Sequence, residues 1–332
     1  MSHLETQPIE LDRLKTYSLH DRASKVLHTQ IGRPLEPGGT VNDLLDGLPT
    51  ILAGNDLRSV RDHICRAHGE GGGVAVALGG HVIKTGCAPY LIDLMERGVV
   101  TAVSMNGAAA IHDLELALAG KTSEDVGAML PEGRFGMARE TAEVFAAACE
   151  IGARRQVGLG RGVGEHLAGL ACPHGEVSVV LAAWRRGIPC TVHVAVGTDI
   201  VHMHPCLSGA ALGEASLIDF RILCGVVAGL SRGVWMNLGS AVVLPEVFLK
   251  CVSVARNLGF DLDELVTVNL DMLQQYRGRV NVVSRPSAQG LSLVGHHEIM
   301  IPLLHAGIVG KLKVKGQKAK VTKRAVRSAS LG

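Results

Sequence analysis

Apolar residues along this chain fall into two rhythms, and their alternation sets the expected architecture. Val41 to Leu48 and Leu57 to Ala67 carry apolar side chains at helical spacing. Gly71, Gly72 and Gly73 then open a short continuous apolar run, Val74 to Leu78, which is the pattern of a buried strand. Further strands are expected at Val99 to Ser104, Thr191 to Val196, Val234 to Leu238 and Val266 to Leu270. Helices are expected from near Gly107, over Ser178 to Arg186, and over Ile299 to Val309. The clearest helix follows Leu238, with Pro245 near its first turn, apolar Val247, Phe248, Cys251, Val252, Ala255 and Leu258 on one face, and Gly259 as its stop. Strands alternating with helices imply an α/β fold with a mainly parallel sheet covered on both faces.

The ends differ from this body. Residues 1–40 are polar and broken by Pro34, Pro37, Gly38 and Gly39, an N-terminal arm. Residues 41–310 form the expected domain, with no repeat of fixed period and no linker long enough to split it. Residues 311–332 form a tail in which Lys311, Lys313, Lys315, Lys318, Lys320, Lys323, Arg324 and Arg327 follow the last acidic residue, Glu298. Net charge is +2 overall, yet without the tail 25 basic side chains face 31 acidic ones. No aromatic is interleaved in the tail for base stacking, so nucleic-acid binding is not expected.

Composition narrows the class. In 332 residues, 47% hydrophobic against 19% charged gives a globular body, and 3% aromatic with 41 glycines gives a core of Val, Leu, Ala and Ile around tight turns. The eight cysteines stand singly and no signal peptide opens the chain, which points to a reduced, cytoplasmic setting. No apolar run reaches the ~18 residues of a membrane span.

Several strands end alike, in Gly79-Gly80-His81, Asn106-Gly107, Gly197-Thr198-Asp199 and Asn237-Leu238-Gly239-Ser240. In a parallel sheet these ends share one edge, where small residues let phosphates approach backbone N–H groups. Gly158-Leu159-Gly160-Arg161-Gly162-Val163-Gly164 has the spacing of a dinucleotide loop, but no strand precedes it, so a flexible connection is expected. His81, His112, His202, His204, His296 and His297 lie near strand ends or turns, and His202-Met203-His204 has a spacing open to metal binding. Lys84 is placed for an anion or as a nucleophile.

Three blocks in order carry a family resemblance: LGGHVIKTGCAPYLIDLMERGVVTAVSMNGAAAIHDLELALAG, GIPCTVHVAVGTDIVHMHP and NLGSAVVLPEVFLKCVSVARNLG. Together they resemble the deoxyhypusine synthases and the related homospermidine synthases, over about Val41 to Val309. The resemblance implies a Rossmann-like fold binding NAD, a homotetramer with sites at subunit interfaces, and aminobutyl transfer from spermidine. By position it places Gly80, His81, Asn106, Gly107, Ala108, Asp199, His202, Gly239 and Ser240 where that family contacts cofactor or substrate, and the expected cofactor contacts are Gly79, Gly80, His81, Asn106, Gly107, Ala108, Thr198, Asp199, Gly239 and Ser240. Asp113, Asp271, Glu298 and Arg285 are the expected substrate contacts. The family's imine-forming lysine has no counterpart, since Cys251 to Gly310 contains no lysine.

The expected function is therefore an NAD-dependent enzyme acting on an amine, polyamine or amino acid without the lysine imine. His296, His297, His202, His112 and Lys84 are its candidate catalytic groups. His296 and His297 stand out because a helix N-terminus would keep an imidazole there neutral and basic. A metal-dependent hydrolase using His202, His204 and His81 or His112, and a non-catalytic binding protein on the same fold, are the alternatives.

Overall fold

Six parallel strands, in the order β3-β2-β1-β4-β5-β6, make the sheet of the computed structural model, which describes residues 7–312. The chain runs α1 (Val41–Gly47), α2 (Leu52–Glu70), β1 (Val74–Leu78), α3 (Gly80–Lys84), α4 (Ala88–Glu96), β2 (Ala102–Asn106), α5 (Gly107–Ala119), α6 (Val126–Met129) and α7 (Arg139–Arg154). It continues through α8 (Leu159–Ala168), α9 (Val179–Arg186), β3 (Cys190–His193), α10 (Gly209–Ala228), β4 (Val234–Leu238), α11 (Val243–Asn257), β5 (Val266–Asp271) and β6 (Gln289–Val294). A last helix, α12, spans 297–312. The fold is α/β and Rossmann-like.

Period-two alternation in β1 divides the core. Val74, Val76 and Leu78 pack with Leu57, Val60 and Ile64 of α2 and Ile301, Leu304 and Ile308 of α12. Ala75 and Ala77 face the other layer, with Leu223 and Val227 of α10 and Phe248 and Cys251 of α11. There the Trp235 and Phe248 rings stack 4.3 Å apart. Both sheet faces are thus covered, which is why the central strands are apolar throughout.

Strand order fixes where a site can form. From β1 the chain steps outward through β2 to β3, then returns to lay β4 on the other side of β1 before stepping out to β5 and β6. The reversal leaves a crevice at the carboxyl ends of β1 and β4. Gly79 and Gly239 meet there. A Cβ on Gly79 would overlap the Gly239 carbonyl, and Gly239 itself sits at φ +66°.

Three sequence expectations are corrected. The glycine run at 158–164 is the start of α8, not a flexible connection: a Cβ on Gly160 would overlap the Cys190 carbonyl, one on Gly162 the Ala148 carbonyl, and one on Gly164 would lie 2.7 Å from Trp184 Cβ. The glycines let α8 press against α7, α9 and β3. Gly160→Val is expected to cost about 3 kcal/mol or more, read as a lower urea midpoint at unchanged slope. The strand β6 lies outside the expected set, and the strands expected at Val99 to Ser104 and Thr191 to Val196 are displaced to Ala102–Asn106 and Cys190–His193.

The edge strand β3 does not expose a free row of backbone groups. Asp219 of α10 accepts from Val192 N (2.7 Å) and Gly160 N (2.8 Å), and Ser216 Oγ donates to Val192 O (3.2 Å). At the N-terminus, 7–40 touch the body around Gln30 to Arg33, which bond to Thr50 and Gly47, while Ile9, Leu11, Leu14, Tyr17 and Leu19 stay exposed. Of the expected basic tail, Lys311 pairs with Asp62 at 2.5 Å, and residues from 313 on lie outside the described residues. Among the described residues no helix is long and apolar enough to cross a membrane.

Candidate active site

At the carboxyl edge the turns after β1, β2, β4 and β6 place their histidines and glycines in contact. His81 is the second residue of α3, directly after Gly79-Gly80, and His297 opens α12 after Gly295-His296. Their Nδ1 atoms lie 2.9 Å apart. One Nδ1 must donate and the other accept, so at least one of the two rings is neutral. Burial holds the His297 pKa down, with His81 acting in the same direction and Asp271 opposing, so His297 is the neutral partner. Its Nε2 lies 3.9 Å from Asp271 Oδ1 at the end of β5. That separation is beyond hydrogen-bond reach and Nε2 is buried without a hydrogen-bond partner; the Asp271 charge favours Nε2–H, the tautomer whose Nδ1 lone pair would accept from His81 Nδ1–H. His81 is half-buried, and its Nε2 has no hydrogen-bond partner among the described residues.

The same packing explains Gly239. A Cβ there would stand 2.9 Å from His297 Cε1 and 3.0 Å from Nε2, so the turn after β4 accommodates the ring only as glycine. His297 is fully buried, whereas His296 is exposed, 3.8 Å from Glu298. Of the two expected bases, His297 is thus enclosed against His81 and only His296 is exposed. The cause of the lowered His297 pKa is burial first, not the helix N-terminus.

On the β2 side, Asn106 Oδ1 accepts from Ala109 N (2.9 Å) and caps α5, so its side chain is already engaged. Gly80 lies against Ala108 and His112, with a Cβ at 80 placed 3.2 Å from Ala108 Cβ and 3.0 Å from His112 Cδ2. Gly107 is covered by the Asp199 carboxylate, which a Cβ would overlap. Asp199 Oδ2 is buried without a hydrogen-bond partner, and burial raises the Asp199 pKa while His202 opposes. His202 Nδ1 accepts from Gly197 N (3.1 Å) and Asp199 N (3.2 Å), so its Nε2 carries hydrogen, and that atom is also buried and unpartnered. An acceptor and a donor thus stand unsatisfied beside the start of α5. Thr198 is exposed and bonds Ala195 O (2.7 Å).

Other expected site residues lie elsewhere or are already engaged. Asp113 is fully buried, accepting from Ser178 Oγ (2.5 Å), Val179 N (2.7 Å) and Val180 N (3.2 Å) at the start of α9. Burial raises its pKa to about 6 against those donors. It is a helix-binding residue, not a substrate contact. Arg285 is exposed, bonded to Asn281 Oδ1 (2.9 Å), and precedes β6, so it stands at the opposite edge of the sheet. Ser240 is 2% exposed and its Oγ accepts from Leu244 N (3.3 Å). Lys84 is exposed at the end of α3, the helix whose first residue, Gly80, lies against His112. Asp271 is half-buried and Glu298 exposed, both at the carboxyl edge.

The expected metal set also comes apart. His202 Nε2 is an N–H, His204 Nε2 is bonded to Gly136 O (2.7 Å), and the Nδ1 atoms of His81 and His112 face His297 and Thr122. Among the described residues no three His, Cys, Asp or Glu side chains converge as a metal set. A groove of about 550 Å³, lined by Trp184, Arg161, Ile188 and Cys190, opens at the amino end of β3, away from these histidines.

Comparison with known proteins first defines a class of fold. No protein-family model matches the sequence, and no curated protein matches it. Solved structures do match in shape, as α/β domains of the same Rossmann-like build. They include a conserved LOR/SDH protein from Methanococcus maripaludis S2, with 17% identity over 79% of this chain and 71% of that one, at a TM-score of 0.51. A second is AgrE in ternary complex with ornithine and NAD+, with 19% identity over 78% of this chain and a TM-score of 0.51. The matched region is only 33% of AgrE. The third, from Entamoeba histolytica and assigned as a deoxyhypusine synthase, has 10% identity over 84% of this chain and 96% of that one, at a TM-score of 0.50. At such identities the likeness is one of fold.

Proposed function

We propose that this chain is an NAD-dependent enzyme acting on an amine or amino acid, with histidines moving the protons and no lysine imine. The observation that carries the reading is the Asp271–His297–His81 chain at the β1/β4 reversal, where an oriented imidazole meets glycine turns that admit no side chain. The AgrE structure with ornithine and NAD+, and the deoxyhypusine synthase assignment of another fold neighbour, support the choice of cofactor and substrate class.

The residues present fit a dinucleotide. Gly79, Gly80, Gly107, Ala108 and Gly239 would hold it along the strand ends, and Asp199 Oδ2 with His202 Nε2 offers an acceptor and a donor to sugar hydroxyls. When bound, NAD supplies a hydride acceptor. His81 Nε2 would take the proton that the oxidised substrate releases after hydride loss, and His297 and Asp271 would hold the ring in the tautomer that allows it. Asp271, Glu298 and Lys84 supply charge at the same edge for an amine or carboxylate.

Calorimetric titration with NAD and with NADP tests the reading, which loses its basis if neither binds. Gly239→Val is expected to abolish binding, because a side chain at φ +66° collides with His297. Borohydride trapping with spermidine is expected to give no covalent adduct, since 251–310 holds no lysine. An adduct on the exposed Lys84, found by mass spectrometry, would restore the lysine chemistry. Oligomerisation, as the sequence resemblance implies, is part of the proposal; the exposed apolar residues of 7–40 support it.

A further inference from the structure

His112, the second imidazole at the Gly80 turn, is held by a chain of its own. It shares a face of α5 with Glu115, three residues on, and the left-handed Gly120 turn that ends the helix leads to Thr122. His112 Nδ1 is 2.7 Å from Thr122 Oγ1, and the Thr122 hydroxyl donates to Glu115 Oε2 at 2.5 Å. Glu115 Oε1 accepts from Thr141 Oγ1 at 2.9 Å, so both carboxylate oxygens are fixed by hydroxyl groups. Thr122 has one hydroxyl proton. With that proton directed at Glu115, the hydroxyl oxygen faces His112 as an acceptor, and Nδ1 must carry the hydrogen. Nε2 is left with its lone pair and no hydrogen bond. Burial lowers the His112 pKa, Lys84 adds to this and Glu115 opposes it, so the ring is neutral near pH 7.

We infer that His112 is a proton acceptor of this site, set as the Nδ1–H tautomer by Thr122 and Glu115 so that Nε2 takes a proton beside Gly80. The step it serves is deprotonation of a substrate ammonium group. An amine gives up hydride from its neighbouring carbon only when its nitrogen is neutral, so the ammonium N–H must break first. Its electron pair stays on the substrate nitrogen and the proton goes to His112 Nε2. Nδ1–H keeps its bond to Thr122 throughout, and Glu115 stabilises the imidazolium across the hydroxyl without taking a proton. Thr122 and Glu115 are positioning residues. The identity of the proton donor rests on the proposed function, whereas the tautomer is a property of the protein alone.

Long-range ¹⁵N NMR of the full chain at pH 7, with the His112 signals assigned by their loss in His112→Gln, tests the inference. The native protein is expected to show Nδ1 protonated and Nε2 bare. Thr122→Val should shift the ring to the Nε2–H form, and Thr122→Ser should restore the native pattern. Turnover of an amine substrate should fall about tenfold or more in kcat for Thr122→Val at unchanged KM, and recover in Thr122→Ser. A native His112 protonated on Nε2, or a ring unmoved by Thr122→Val, overturns the inference. If Thr122→Val does not fold, the native spectrum alone decides. Failure of NAD to bind would remove the proposed enzyme and leave the tautomer result standing, so the two failures are distinguishable.

Discussion

Asp219→Asn is expected to flatten the fall in stability of this protein between about pH 4 and pH 8. Asp219 is fully buried between α8, α10 and β3, and burial raises its pKa to about 8 although Val192, Gly160 and Leu159 N–H groups oppose the shift. The unfolded chain loses the same proton near its ordinary value of 3.8. In the window between, the folded state holds a proton that the unfolded state has released, so stability is fully present below about pH 4 and is lost as pH rises toward 8. A shift of about four units corresponds to a loss on the order of 5 kcal/mol across that window. An amide mimics the protonated acid: its oxygen still accepts from Gly160 and Val192, and its NH2 replaces Oδ1, which has no partner. Urea midpoints measured from pH 4 to 9 should decline more steeply for the native protein than for the variant. Asp113, with its pKa raised to about 6, contributes equally to both and cancels in the difference. Parallel profiles would show that Asp219 is ionised in the folded state.

Asp219 also shows what a linear sequence conceals. The strands β1, β4 and β5 were legible because they are buried on both faces and therefore continuously apolar. The edge strand β6 was not, since Gln289 and Val294 are exposed and only Leu293 is fully buried. Helix α8 resembled a loop because its glycines are selected for contact with the Cys190 and Ala148 carbonyls, a tertiary demand that outweighs helix propensity. Its N-terminus is held by a carboxylate 59 residues away.

For the site, the strand-end turns were visible as repeated small residues after apolar runs, and the parallel sheet brought them to one edge. Which polar groups face that edge was not visible. Asp113 follows a matching turn but points back to bind the start of α9, and Arg285 stands before a strand that the pattern did not reveal. The pairing of His81 with His297 spans 216 residues. Only the β1/β4 reversal, together with a sixth strand next to β5, brings those two turns into contact.

That pairing sets the largest expected effect on activity. His81→Ala should lower kcat by roughly 100-fold or more, with NAD affinity by calorimetry nearly unchanged, because the group removed is the half-buried outer end of the Asp271–His297–His81 series. Asp271→Asn should give a smaller loss, since the carboxylate acts only by favouring the His297 Nε2–H form from 3.9 Å. His297→Gln keeps a polar group against His81 but cannot orient it as an imidazole does, and should fall between the two. His296→Ala removes an exposed ring with no contact to the chain and should turn over at the native rate. If His296→Ala were the inactive variant and His81→Ala the active one, the proton would leave through the outer face of the α12 turn. The buried imidazole pair would then be a packing feature that locks the turns after β1 and β6 together.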